Sequence, residues 1–142
     1  MNTAWLIAVD GSTPSLNAVD YAIVEAASRA AKPLVFLINV QAALSGDITR
    51  FVDAKTVEEF HREAGEAALA GAKEKLASAG LPHSTHVLVG EVAPTIVEFA
   101  KDKICSLIIM GTHGFGSVDG LVMGSITTKV IHLTQLPVLL IK

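Results

Sequence analysis

The sequence predicts a doubly wound α/β fold, a parallel β-sheet with helices on both faces. Three observations carry that prediction. Several short runs are apolar at consecutive positions, as in strands buried on both faces. These runs alternate with stretches of helical periodicity, the pattern that builds right-handed βαβ units. The chain has 142 residues, 51% of them hydrophobic but only 5% aromatic. Branched aliphatics and alanines therefore supply the core of what is expected to be one domain over residues 1–142.

The first strand is read over Trp5 to Val9. Thr13 then caps a helix whose first position is Pro14, where a missing N–H costs nothing. Ala18, Ala22, Ile23, Ala26, Ala27 and Ala30 recur at helical spacing before Pro33 ends the helix. Leu34 to Val40 is the second strand. Gln41 to Val52, with Gly46 and Asp47, reads as a long irregular connection and a candidate lid. Thr56 and Glu59 form a capping-box pattern for a helix reaching Ala79, with Phe60, Ala64, Ala67, Ala68 and Gly71 on one stripe. Gly80 and Pro82 terminate it. His83 to Val89 is a strand with a more polar start, placed nearer a sheet edge. Pro94 opens a helix with Ile96, Val97 and Ala100 facing inward. A strand over Leu107 to Met110, a helix over Gly124 to Thr134 and a strand over Pro137 to Ile141 complete the chain.

Composition excludes several classes. A formal net charge of -3 with so much apolar content is the opposite of the disordered signature. The longest stretches without Asp, Glu, Lys or Arg, Leu76 to Gly90 and Ile104 to Val118, are 15 residues and contain glycines and polar residues. A membrane-spanning helix needs ~20 mostly apolar ones. Met1 to Asp10 lack the basic start of a signal peptide, so a cytoplasmic location is expected. The 11 Lys and Arg residues are scattered and form no stripe for nucleic acid. Cys105 is the only cysteine, which excludes an intramolecular disulfide and a multi-cysteine metal site.

Open α/β sheets bind ligands beyond the carboxyl ends of their strands, so function is sought there. From Gly111 the chain places five glycines in fourteen positions, ending at Gly124-Ser125 where a helix begins. Such glycines let backbone N–H groups approach an anion, and a helix N-terminus adds a positive dipole end. That suits a phosphate chain, with the Ser125 hydroxyl as a further donor. The alternative is that the glycines only permit a tight loop and Ser125 only caps its helix. Asp10 can accept hydrogen bonds from ribose hydroxyls or an adenine amino group, and the Val40 backbone can pair with a base edge. Alternatively, Asp10 merely caps the following turn through Ser12 or Thr13.

At these residues the sequence resembles the universal stress protein family. Gly111, Gly114, Gly124 and Ser125 meet that family's nucleotide signature of glycine, two residues, glycine, nine residues, glycine-serine. Leu107 to Gly114, Val9-Asp10-Gly11-Ser12 and Leu136 to Ile141 resemble it too, so the likeness covers essentially the whole chain. It implies a five-stranded parallel sheet in the order 3-2-1-4-5. It also implies ATP with magnesium or manganese, and a homodimer through the terminal strand at 136–141. Asp10 and the Val40 backbone are implied as contacts to adenine and ribose, Met110, Gly111 and Gly114 as the turn below them, and Gly124, Ser125 and Ile126 as the phosphate end. Ser12, His113 and Thr127 are further candidates at the same site, and no side chain is expected to ligate the metal directly. Two positions depart from the family: Phe115 stands where a basic residue is common, and Ser106 where an acid is.

Other signals lead away from chemistry. Gly114-Phe115-Gly116 and Gly120 mimic a dinucleotide fingerprint but follow the wrong strand. No lysine follows a glycine run as in a P-loop, and no acid ends the third strand as in a phosphoacceptor domain. His83 and His86 fall on opposite faces of a strand and are read as surface residues, and Cys105 as a small core residue. The expected function is ATP binding by a nucleotide-responsive regulatory module with an unidentified protein partner. No catalytic residue is assigned. A slow ATPase using His113, Asp119 or Thr128 remains open. So does a ligand-free dimeric interaction protein.

Overall fold

The computed structural model describes residues 3–114 and 123–142. Along the chain lie β1 (Ala4–Ala8), α1 (Thr13–Ala27), β2 (Leu34–Gln41), α2 (Gly46–Thr49) and α3 (Ala54–Ser78). They are followed by β3 (His83–Val89), α4 (Val92–Asp102), β4 (Leu107–Gly111), α5 (Ser125–Leu133) and β5 (Val138–Ile141). The strands form a parallel sheet in the order β3-β2-β1-β4-β5, as the resemblance implies.

Consecutive strand residues point to opposite faces, so an unbroken apolar run feeds two cores. On one face Trp5, Ile7, Val35, Leu37 and Ile109 pack with Ala18, Val19 and Ala22 of α1 and Leu69, Ala72 and Leu76 of α3. On the other, Leu6, Ile38, Ile108 and Met110 pack with Ala93, Ile96 and Ala100 of α4 and Val130 of α5. Cys105 belongs to this second core, and burial pushes its thiol up to about 11. β3 lies at one edge of the sheet, as its polar start predicts, and β5 at the other.

Several local expectations are corrected. Ser12, not Thr13, is the N-cap of α1, and its side chain makes no capping bond. Asp53 caps α3 by accepting from Thr56 N at 2.8 Å, so Thr56 is the capped residue and the Thr56–Glu59 box does not form. The buried stripe of α3 is His61, Gly65, Leu69, Ala72 and Leu76, while Phe60 is 51% exposed. Gly65 fixes that face: a Cβ there would overlap the Val87 side chain, so only glycine lets the helix sit this close to β3. The connection Gln41 to Val52 is not wholly irregular, because α2 forms within it, capped by Ser45.

His86 is not an ordinary surface residue. Its ring centroid lies 5.0 Å from that of Phe99 and 6.1 Å from that of Phe36, and its Nε2 pairs with Ser84 Oγ at 3.0 Å. Burial and, secondarily, the charge of Lys103 lower its pKa. His83 keeps to the opposite face, with Nδ1 2.8 Å from Leu81 O.

Two predictions follow from these features. Because the folded pKa of His86 lies below the unfolded value, its protonation favours the unfolded chain. Stability is then fully present above the unfolded pKa of ~6.5 and falls as pH drops through it toward the folded value. Urea unfolding at stepped pH is expected to show this slope, and His86→Phe to remove it. At the end of α4, Ile104 holds φ 54° while 85% exposed. A β-branched residue in left-handed backbone is strained, so Ile104→Gly is expected to stabilise the fold by ~1 kcal/mol in thermal or urea unfolding.

Candidate functional site

The strand order reverses between β1 and β4, since the chain moves outward through β2 and β3 and then crosses back to β4. Crossovers on opposite faces leave a crevice at the carboxyl ends there. The described residues outline a cleft of about 240 Å3 at that place.

Its walls divide by chemistry. Ala8, Val9, Val40, Val92, Ile96, Met110 and Ile126 supply apolar surface, and Asp10, Asn39, Ser15, His113 and Thr127 supply polar groups. Of the expected site residues, Asp10, Val40, Met110, Gly111, Gly114 and Ile126 line the cleft, together with the further candidates His113 and Thr127. Gly124, Ser125 and Ser12 do not.

Asp10 does two things at once. Its Oδ1 accepts from Ser12 N at 2.9 Å, so the turn-capping alternative holds for one oxygen. Its Oδ2 lies against Gly114, where a Cβ would overlap it. A side chain at 114 would therefore displace the Asp10 carboxylate, and both residues line the cleft. Gly111 serves packing, because a Cβ there would lie 2.8 Å from Pro14 Cβ at the head of α1.

The Val40 backbone faces the cleft by the alternation of the ladder. Gly90 N donates to Gln41 O on the β3 side, and Val9 N donates to Ile38 O on the β1 side. Val40 therefore directs its N–H and C=O toward β1, which has ended at Ala8. At that divergence Asn39, buried, donates Nδ2 to Val9 O at 2.8 Å and accepts Gln41 Nε2 at 2.6 Å. Asn39 was not singled out in the sequence. Its signal is an amide interrupting the apolar run Leu34 to Val40 just where a strand reaches the carboxyl edge.

The start of α5 is pinned beside the end of β4. Gly124 N donates to Thr112 O at 2.8 Å, and Thr127 Oγ1 donates to Gly111 O at 3.1 Å. Gly124 is the N-cap, so Ser125 is the first helical residue and is exposed rather than capping. The hydroxyl proton of Thr127 is committed to Gly111, which makes this residue a fastener. His113 Nδ1 lies 3.1 Å from Thr112 Oγ1. The Thr128 hydroxyl donates to Gly124 O. Phe115 and Asp119 fall outside the described residues.

Electrostatically, the described lining contains no Lys or Arg. No group of three His, Cys, Asp or Glu is placed to hold a metal ion among the described residues. From α5 only Ile126 and Thr127, in its first turn, line the cleft among the described residues, and a helix N-terminus carries the positive end of the dipole.

A family model described as "Universal stress protein family" matches residues 1–142. The chain belongs to the universal stress protein family. Among the universal stress proteins it is similar to YxiE of Bacillus subtilis, 32% identical over 96% of this chain and 97% of that protein. Its fold matches that of MJ0577 of Methanocaldococcus jannaschii with a TM-score of 0.82 and 26% identity, over 100% of this chain and 96% of that one. It also matches a universal stress protein solved in complex with cAMP, with a TM-score of 0.70 and 25% identity over 99% and 97% of the two chains.

Proposed function

We propose that this universal stress protein binds an adenine nucleotide, ATP with Mg or Mn, in the cleft between β1 and β4. One observation carries the reading: Asp10, whose Oδ2 lies against Gly114, lines a cleft that Val40 and apolar walls also line. A purine ring suits the apolar walls, a ribose suits Asp10 Oδ2, and phosphates suit the start of α5 at Gly124, Ser125 and Ile126. With no cation in the described lining, the divalent ion would ride on the phosphates. The cAMP complex of a related protein supports an adenine ligand.

The module acts as a regulator. Bound nucleotide would hold residues 41–52 and 115–123, of which 115–122 lie outside the described residues, and so change the surface offered to a protein partner in the cytoplasm. Residues 1–142 serve as one domain, and two copies join through the exposed edge of β5, near the 136–141 run. A short apolar edge strand left open is a pairing liability, which a second subunit removes.

Binding is tested by calorimetry on protein stripped of nucleotide. The chain holds one Trp and one Tyr, so retained nucleotide is visible as a raised 260/280 absorbance ratio. Mg-ATP, AMP and cAMP are expected to bind, and Gly114→Val or Asp10→Ala to weaken binding at least ~tenfold, equivalent to ~1.4 kcal/mol. Hydrogen exchange on the same samples should slow in 41–52 and 115–123. No heat and no thermal shift with any adenine nucleotide overturns the reading; binding without altered exchange overturns its regulatory part. Gel filtration is expected to give about twice 14.9 kDa, and a stable monomer excludes the dimer.

A further inference from the structure

β3 is an edge strand of 7 residues containing no proline and no charged side chain, the devices that usually blunt an edge. Val35 N donates to Pro82 O, and Gly90 N donates to Gln41 O. By alternation, the N–H and C=O groups of Thr85, Val87 and Val89 therefore face away from the sheet. Beside them runs a groove of about 530 Å3 between β3 and α3. Arg62, Glu66 and Lys73 form its exposed rim on one helical stripe, over the buried Leu69. None of the three joins an ion pair among the described residues.

We propose that this groove takes an extended acidic peptide segment of a partner protein, added to the sheet beside β3. Its main chain bonds to the outward groups of Thr85 and Val87, and two of its carboxylates meet Arg62 and Lys73. The spacing argues for an extended chain. Arg62 and Lys73 are eleven helical residues apart, about 16 Å along the axis, too far to converge on one phosphate. That distance is about five strand steps, between the same-face spacings of four and six that long side chains such as Arg and Lys can reach. Glu66 lies between the two cations and repels a central carboxylate, so the acidic residues belong toward the ends, on the same face of the added strand. A second copy of β3 fits less well, because His83 to Val89 brings no carboxylate to either cation. The groove is independent of the nucleotide reading, since β2 separates β3 from the β1–β4 crevice.

The probe is a fluorescein-labelled peptide of alternating Thr and Val with two glutamates four positions apart, against the same peptide with lysines. Fluorescence anisotropy is expected to show binding of the glutamate peptide alone. Thr85→Pro removes an outward N–H without breaking a ladder bond, so circular dichroism stays unchanged while affinity falls at least ~tenfold. The rim variant Arg62→Glu with Lys73→Glu, on exposed positions, is expected to abolish binding and serves if Thr85→Pro fails to fold. The proposal is overturned by absent binding, by equal binding of the lysine peptide, or by unchanged affinity in the rim variant. Sedimentation showing self-association that Thr85→Pro abolishes overturns it in favour of a second copy.

Discussion

The molecule depends on β1 being covered on every side. It is flanked by β2 and β4, and Trp5, Leu6 and Ile7 are all buried, with successive side chains entering opposite cores. A strand so placed must be apolar along its whole length and must have helices above and below. α1 and α3 lie on one face, α4 and α5 on the other. That division of helices also opens the crevice, because the connections at the end of β1 and at the end of β4 leave in opposite directions.

Once the crevice exists, its shape is set by a few polar fasteners. Asn39 holds β1 to β2 where they part, and the Ser12 N–H holds one oxygen of Asp10. Gly124 and Thr127 hold α5 to the end of β4. Each of these bonds is buried or partly buried and joins the termini of different elements, so each stiffens the cleft more than any one element could. The outcome is a cleft whose described lining carries the Asp10 carboxylate and no Lys or Arg.

The legible and illegible parts of the sequence separate by range. Long apolar runs announced the strands because burial on both faces leaves no other pattern, and Gly111 and Gly114 of the glycine spacing fall at the cleft between β1 and β4. The face of α3 was not legible: in an Ala-rich helix the large apolar ring of Phe60 dominates the pattern, whereas the close approach of Gly65 to Val87 decides the packing. The environment of His86 was hidden for a similar reason, since Phe36 and Phe99 reach it from other elements. Asp53 took the cap from Thr56 because side-chain geometry, not residue type, selects among neighbouring capping candidates.

By itself the sequence determined the class of fold, the edge placement of β3 with its polar start, and the residues that end β1 and β4. Those follow from local pattern, because periodicity and glycine spacing act over neighbouring residues. Only the tertiary structure decided which oxygen of Asp10 lies against Gly114, that Thr127 is a fastener rather than a free donor, and which face α3 buries. Only the assembled sheet set the Arg62–Lys73 stripe beside the open edge of β3. Such relations depend on contacts between distant segments, and no local pattern fixes the distance at which two elements finally pack.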